Sequence, residues 1–128
     1  MKNVGIFISA NGQLGGSPDG MVTSQSRIVE VKCPWSARHM TFEELTNKKD
    51  YCLNWSESGV TLKPDHEYYH QVQGCMHLAN VDECDFVVWT TACTLIVKVQ
   101  RELLWQSNVD ILCAFFTDHM VPLIIELN

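Results

Sequence analysis

The chain has 128 residues, of which 46% are hydrophobic, and its formal net charge is -6. This length suits one domain with a single core. The acidic balance excludes a broadly basic nucleic-acid coat protein, but it leaves room for an enzyme that acts on nucleic acid. Catalytic carboxylates add negative charge, and a DNA path needs only a local basic track. The candidates for that track are Arg27, Arg38, Lys48, Lys49 and Lys63, all in the first half of the chain.

The number and positions of the cysteines indicate the cellular compartment of the protein. The six cysteines are Cys33, Cys52, Cys75, Cys84, Cys93 and Cys113. Most lie in apolar or regular segments, without a Cys-x-x-Cys pair or a preceding signal peptide, so we predict reduced and mostly buried thiols. We therefore expect an intracellular protein, in the nucleus or the cytoplasm. The longest apolar runs are far shorter than a membrane span, so no membrane partner is expected.

The first elements lead into a tight turn. Val4 to Ser9 is predicted to be a strand, and the turn pair Asn11-Gly12 favours a hairpin that continues into Gly15-Gly16. In the next turn Pro18 fixes φ at the second turn position, so Asp19 is held rigidly at a loop edge.

The following strand carries charge on an apolar background. Side chains alternate in a strand, so Ile28, Glu30 and Lys32 share one face. Burying a lone charge is costly, and compensation must come from the pair itself, from a metal ion, or from solvent in a cleft. A divalent metal held by Asp19 and Glu30, with Lys32 beside it, satisfies all three residues. Taken singly, each motif also fits an ordinary turn or a solvated strand face.

Helices are predicted in the middle of the chain. The capping-box spacing at Thr41 predicts a helix over about 37–47, and residues 50–64 are predicted to form a loop or a small hairpin. Asp65 is predicted to cap a second helix that ends near Ala79. Gln71 lies within the apolar stripe of this helix, where its amide needs partners. That stripe consists of Tyr68, Val72, Cys75, Met76 and Ala79.

The last third is predicted to contain a hairpin and a helix. Residues 84–91 and 94–100 are rich in β-branched and aromatic residues and are predicted to be paired strands. Their predicted core residues are Val87, Trp89, Leu95, Val97 and Val99. Ser107 or Asn108 is predicted to cap a final helix that Pro122 ends. The residues expected to pack this helix on the sheet are Leu104, Trp105, Phe115 and Phe116.

Four segments together carry a family resemblance: Ser17-Pro18-Asp19-Gly20, Glu30-Val31-Lys32-Cys33-Pro34, Tyr68 to Gly74, and Cys84 to Thr90. In these segments the chain resembles the PD-(D/E)xK nuclease superfamily, and more narrowly its YqaJ-like viral recombinase branch, which includes the lambda-type exonuclease. The resemblance covers most of the chain. It implies an α/β (α+β) fold with a restriction-endonuclease-like core, a mixed central β-sheet flanked by helices, over residues 1–128. Relatives usually carry an upstream helix with another carboxylate, which this sequence is expected to lack.

The resemblance also implies a function and a site. It implies a Mg²⁺- or Mn²⁺-dependent deoxyribonuclease, acting as an exonuclease on double-stranded DNA in recombination or viral replication, with homo-oligomers known among such enzymes. The implied catalytic residues are Asp19, Glu30, Lys32 and Gln71. The implied metal ligands are Asp19, Glu30 and the Val31 carbonyl, and oxygen-only ligands suit these ions. The candidate substrate-binding residues are Ser17, Arg27, Trp35, Arg38, Tyr68 and Gln73.

Three alternatives stay open. The same site would serve an endonuclease, and the same fold without cleavage would serve as a DNA- or protein-binding domain. The third is a zinc site, because His66-Glu67-Tyr68-Tyr69-His70 matches His-Glu-x-x-His, with His77 on the same face. The extended protease pattern, however, fails by one residue at Gly74 and His77.

Overall fold

A computed structural model describes residues 1–128. Its strands are β1 (Phe7–Ile8), β2 (Gly15–Gly16), β3 (Gly20–Val22), β4 (Arg27–Lys32), β5 (Leu53–Ser56), β6 (Gly59–Leu62), β7 (Glu83–Trp89) and β8 (Thr94–Gln100). Its helices are α1 (Phe42–Asn47), α2 (Glu67–Ala79), α3 (Ser107–Phe115) and α4 (Val121–Glu126). Short 3₁₀ turns lie at Thr23–Gln25, Trp35–Ala37 and Leu103–Gln106, and a π turn at Phe116–Met120 joins α3 to α4.

The central sheet is mixed, in the order β3-β4-β7-β8. The middle strands β4 and β7 are parallel, whereas β3 and β8 pair antiparallel with their neighbours. Two small hairpins, β1-β2 and β5-β6, lie outside this sheet, as the sequence predicted at both places. The α+β class and the mixed central sheet flanked by helices are therefore confirmed.

The core lies between the sheet and α2. Alternation along β4 and β7 buries Ile28, Phe86 and Val88, and α2 contributes Val72 and Met76. These side chains belong to one continuous apolar cluster, which fixes α2 over the face of β4 that carries Glu30 and Lys32.

The starts of the first two predicted helices need correction. The first helix begins at Phe42 rather than near residue 37, because Thr41 is extended and forms the predicted capping box with Glu44. Residues Trp35–Ala37 form a separate 3₁₀ turn. At the second helix the cap is His66 and not Asp65, since the His66 Nδ1 atom accepts a hydrogen bond from the Tyr68 N–H at 3.0 Å.

The β7-β8 hairpin is confirmed, but two of its core assignments, Val87 and Trp89, are wrong, because both lie on the face opposite to the core. Val97 and Val99 are buried, whereas Trp89 is 47% exposed. Alternation explains this, because the buried residues of β7 are Cys84, Phe86 and Val88, and Trp89 follows on the opposite face.

The end of the chain departs most from expectation. Pro122 does not end the helix, because the π turn just before it changes the bonding pattern at the point where proline removes a donor. One helix therefore runs over Leu103–Glu126 and is called the C-terminal helix below. Of its four predicted packing residues only Trp105 is buried, and Leu104 is 86% exposed.

The C-terminal helix is also long and apolar enough to cross a membrane, judged by length and composition alone. Only 6% of its most apolar window is buried inside the protein. The apolar runs in the sequence are short, as stated above, but the helix is longer than any of them, because single polar residues interrupt the runs without interrupting the helix.

Candidate active site

The turn before β3 holds Asp19 against the end of β4. β3 and β4 pair Gly20 with Val29, and continued pairing would bring Pro18 opposite Val31. Proline has no N–H to donate, so the ladder stops there. Instead, the Asp19 Oδ2 atom accepts a hydrogen bond from the Val31 N–H at 2.7 Å. The turn sequence thus places a carboxylate next to Glu30.

Glu30 is a buried carboxylate with two partners. Its side chain is 5% exposed, and its Oε1 atom accepts bonds from Lys32 Nζ at 2.8 Å and from Gln71 Nε2 at 2.9 Å. Gln71 Oε1 accepts from the same Lys32 Nζ at 2.9 Å. Gln71 on α2 therefore closes a three-residue ring with the strand pair, and this ring provides the compensation that burying their charges requires.

Three oxygens remain without a protein hydrogen-bond donor at this position. Asp19 uses only Oδ2 and Glu30 uses only Oε1, which leaves Asp19 Oδ1 and Glu30 Oε2. The Val31 carbonyl points to the same strand edge as its N–H, the edge where Asp19 lies and β3 has ended. Two carboxylates and a carbonyl are hard oxygen ligands that suit Mg²⁺ or Mn²⁺, so the residues fit such an ion.

A buried thiol reports the combined negative charge of the two carboxylates. Burial, and next the charge of Glu30, raise the pKa of Cys75 to about 11; Lys32 opposes this rise and Asp19 adds a smaller contribution to it. The negative charge of both carboxylates therefore acts on this thiol. The structure contains no group of three or more His, Cys, Asp or Glu residues able to hold a metal ion, so an ion here would depend on the two carboxylates and the Val31 carbonyl.

Lys32 is held on a third side by an aromatic ring. Its Nζ atom lies 4.4 Å from the centroid of the Tyr68 ring, which in turn packs on Phe86. The electron-rich face of the ring attracts the ammonium group. Tyr68 therefore contributes to the site by holding the Lys32 ammonium group.

Trp35, which is exposed, and Arg38, which is half-buried, form a pair just beyond β4. Trp35 is 78% exposed, and the Arg38 guanidinium lies 4.1 Å from its ring centroid. Arg38 also donates to the Trp35 carbonyl at 2.8 Å. A flat aromatic face with a cation stacked on it stands in solvent.

The three lysines of the predicted basic track share one surface. Lys48, Lys49 and Lys63 line a shallow pocket of about 350 Å³ with Trp55. Lys48 pairs with Asp50, and Lys63 donates to the Lys49 carbonyl. Burial raises the pKa of Cys52, and its hydrogen bonds and the charges of Lys63 and Lys32 oppose that rise.

Two predicted substrate-binding residues are placed elsewhere. Arg27 begins β4, at the opposite end from Lys32, and its guanidinium forms a partly buried ion pair with Asp85 at 3.0 Å. Gln73 is 0% exposed, and its amide bonds to the Gln100 carbonyl and the Glu102 N–H. Both residues hold the fold together, and neither faces the site.

The His-Glu-x-x-His segment does not form a zinc site. His66 is the helix cap, with extended backbone, and its ring nitrogen bonds the Tyr68 N–H. The His70 Nδ1 atom accepts a hydrogen bond from the Trp105 indole at 3.1 Å. The two imidazoles are thus engaged in separate structural tasks.

A cleft of about 430 Å³ adjoins the acidic pair and contains residues that sequence reasoning missed. Ser17 and Gln71 border it, and Cys75 and Trp105 form part of its wall. The signal in the sequence was Gly16, where an added Cβ would lie 3.1 Å from the Cys75 sulfur. A Cβ at this distance would crowd Cys75 and Leu78, so glycine favours the close approach of β2 to α2.

Comparisons with known proteins gave one family match and two similar structures. The family model described as the YqaJ-like viral recombinase domain matches residues 1–82. No curated protein matches the chain. Among solved structures, the chain is similar to LHK-Exo in complex with dAMP, with a TM-score of 0.69, 23% identity, and coverage of 98% of this chain and 58% of that one.

The chain is also similar to an alkaline exonuclease (LHK-Exo) from Laribacter hongkongensis, with a TM-score of 0.69, 22% identity, and coverage of 98% of this chain and 59% of that one. At this identity the likeness establishes a shared fold, and the chain spans less than two thirds of the length of these structures. Since the family model covers more than half of the sequence, including both carboxylates, Lys32 and Gln71, this chain belongs to the YqaJ-like viral recombinase domain family.

Proposed function

We propose that the chain is a metal-dependent deoxyribonuclease that hydrolyses phosphodiester bonds from an end of double-stranded DNA. The observation that carries this proposal is the set of three donor-free oxygens on Asp19, Glu30 and Val31, beside a lysine held by Gln71. The fold shared with an alkaline exonuclease, and the dAMP bound to that protein, support a DNA substrate.

The roles of the residues follow from their contacts. When bound at this position, Mg²⁺ or Mn²⁺ would neutralise charge on the scissile phosphate and activate a water molecule. Asp19, Glu30 and the Val31 carbonyl would hold it. Lys32 would orient the attacking water and offset the phosphate charge. Gln71 keeps the Lys32 ammonium group within reach, since it bonds both Lys32 and Glu30.

The DNA path would use aromatic and basic groups outside the metal site. Trp35 offers a face for stacking on a base, and its partner Arg38 a cation for phosphate. Lys48, Lys49 and Lys63 would contact phosphates further along. Ser17, at the border of the cleft, would donate to the phosphate nearest the ion.

The test compares Mg²⁺-dependent hydrolysis of linear duplex DNA by the wild type, Glu30→Gln and Lys32→Ala. We expect both variants to lose activity by about a hundredfold or more, since each removes charge stabilisation of the transition state. Glu83→Gln is the matched control, because Glu83 is a carboxylate on the neighbouring strand that bonds only Gln100. Calorimetric Mn²⁺ binding gives a second readout, which Glu30→Gln should abolish. Equal hydrolysis by all four proteins would contradict the proposal.

Two alternatives are distinguished by the substrate. An enzyme that needs an end leaves closed circular DNA intact, whereas an endonuclease with the same site cuts it. A binding domain of the same fold would bind DNA with the usual salt dependence and cleave neither form in Mg²⁺ or Mn²⁺.

A further inference from the structure

Lys32 is held by three side chains, and the third is Tyr68, whose ring centroid lies 4.4 Å from the Nζ atom. An ammonium group has three N–H donors. Glu30 and Gln71 accept from this group at 2.8 Å and 2.9 Å. A ring face attracts the positive charge without offering a lone pair to a further donor. The ring thus fixes the ammonium group and leaves one donor for a water molecule or a phosphate.

The position of the Tyr68 ring depends on two other aromatic side chains. The Tyr68 hydroxyl forms no hydrogen bond within the protein, so packing fixes the ring. The ring of Phe86, which is fully buried on β7, lies 6.0 Å away between centroids. The His66 ring lies closer, at 4.6 Å, and its Nδ1 atom also accepts the Tyr68 N–H at 3.0 Å. His66 therefore holds Tyr68 through both its ring and its backbone.

His66 is itself fixed by the loop before α2. Its N–H donates to the Lys63 carbonyl at 3.1 Å, and its carbonyl accepts the Tyr69 N–H at 3.0 Å. The Lys63 N–H donates in turn to the carbonyl of Cys52 at 2.8 Å, and Cys52 is fully buried just before β5. The backbone of His66 is thus connected to the core, so that its ring has a defined place against Tyr68.

A helix cap alone does not call for an imidazole. Ser, Thr, Asp and Asn are the side chains that usually cap a helix, and Asp65 stands one residue before the cap. Those side chains accept an N–H as His66 does, but they have no flat ring to pack on Tyr68. The histidine at this position therefore supplies a contact that an ordinary cap would not.

We infer that His66 and Tyr68 are positioning residues for Lys32. His66 fixes Tyr68, and the Tyr68 ring keeps the Lys32 ammonium group in place beside Glu30. The first histidine of the His-Glu-x-x-His segment would thus serve the active site without binding a metal ion. The kinetic consequence of this arrangement rests on the proposed function, whereas the arrangement itself can be measured in the absence of DNA.

Proton NMR of the Lys32 side chain tests the arrangement. An aromatic ring shields protons that lie over its face, so the Lys32 ε-methylene resonance, identified by its loss in Lys32→Ala, should lie upfield of the other lysines. Tyr68→Phe should keep this shift and Tyr68→Leu should abolish it. His66→Ala should reduce it, because the ring loses its nearest support. An ordinary resonance in the wild type, or no change in His66→Ala, would overturn the inference whether or not the protein cleaves DNA.

Steady-state hydrolysis of linear duplex DNA tests the consequence for catalysis. Tyr68→Leu should lower kcat by about tenfold and leave KM nearly unchanged, because the ring acts on Lys32 and not on the substrate. Tyr68→Phe should keep the wild-type rate, since the hydroxyl bonds nothing. The double variant His66→Ala/Tyr68→Leu should be no slower than Tyr68→Leu alone, because the histidine acts through the ring.

Thr41→Ala is the matched control, because Thr41 caps α1 as His66 caps α2. It should lower the melting temperature about as much as His66→Ala does, and it should leave kcat unchanged. An equal fall of kcat in both variants would reduce His66 to a helix cap and would overturn the inference. A rise in KM alone for Tyr68→Leu would do the same, since it would place Tyr68 on the DNA. An inactive wild type would refute the proposed function and leave the NMR result to decide the inference.

Discussion

The strand end that carries Glu30 and the helix that ends the chain differ in how they are held. Around Glu30 the contacts are hydrogen bonds: Lys32 on the same strand and Gln71 on α2 donate to its Oε1 atom, and Asp19 accepts from the N–H of the next residue. The C-terminal helix instead depends mainly on one buried side chain, Trp105. Hydrogen bonds therefore position the side chains of the site, whereas the packing of one side chain attaches the C-terminal helix.

The largest expected effect tests the polar side of this comparison. Asp19→Asn should reduce DNA hydrolysis by about a thousandfold, since it removes the charge needed beside Glu30. The amide oxygen of the substituted side chain can still accept the Val31 N–H, so thermal stability should change little. Hydrolysis and thermal melting are measured on the same preparation. A large fall in melting temperature would mean that Asp19 serves mainly to hold the fold.

The second prediction tests how packing attaches the C-terminal helix. Trp105→Ala should lower the free energy of unfolding by about 3 kcal/mol and should expose the C-terminal helix to protease, because it removes the ring that packs over Gly74 and His77. Leu104→Ala is the control at the adjacent position, where the side chain is 86% exposed and the change should stay within about 0.5 kcal/mol. Urea unfolding measures both, and equal effects would contradict the proposed attachment.

The third prediction concerns the reactivity of the Cys75 thiol, which tests how enclosed the surroundings of the site are and needs no DNA. With its pKa raised to about 11, the Cys75 thiol should react with iodoacetamide at pH 8 about a hundredfold more slowly than an ordinary thiol, since the thiolate is the nucleophile. Cys33, which is exposed, is the internal reference. Peptide mapping by mass spectrometry gives both rates. Similar rates at the two cysteines would show that Cys75 is not enclosed.

The smallest expected effect is a change in the free energy of unfolding at alkaline pH. It tests the bond between Tyr69 on α2 and Glu102, just before the C-terminal helix. Burial, and next the bond to Glu102, raise the pKa of Tyr69 from 10.0 to about 12. The unfolded chain then loses this proton first, so the free energy of unfolding should fall as pH rises from about 10 to about 12. Tyr69→Phe should cost about 1 kcal/mol at neutral pH and flatten that fall. An unchanged slope in the variant would exclude Tyr69 as its source.

How far the sequence predicts this molecule depends on whether the determinant is local. The alternation that puts Glu30 and Lys32 on one face, and the proline that ends the β3-β4 ladder beside Asp19, are contained in a few adjacent residues. The partners of Arg27 and Gln73 are not, since Asp85 lies 58 residues from Arg27 and Gln100 lies 27 residues from Gln73. Composition also gave no signal that Pro122 would be accommodated after a π turn.

The two glutamines of α2 show the same limit. Gln71 and Gln73 are two residues apart, and their helix determines only that they point in different directions. Which of them meets Lys32 depends on how α2 lies over the sheet, and that is set by the core around Phe86. The resemblance selected Gln71 for the site, while only the packing of the whole fold explains why Gln73 is enclosed.

The bond between Glu30 and Gln71 joins residues 41 positions apart, on a strand and on a helix that follows a whole hairpin. Closing a segment of that size comes after local structure has formed, because its entropy must be offset by many contacts at once. A substitution that loosens α2 should therefore reduce DNA hydrolysis even where the strands are still paired. Loss of hydrolysis should then report a displaced α2 earlier than a spectroscopic measurement of secondary structure does.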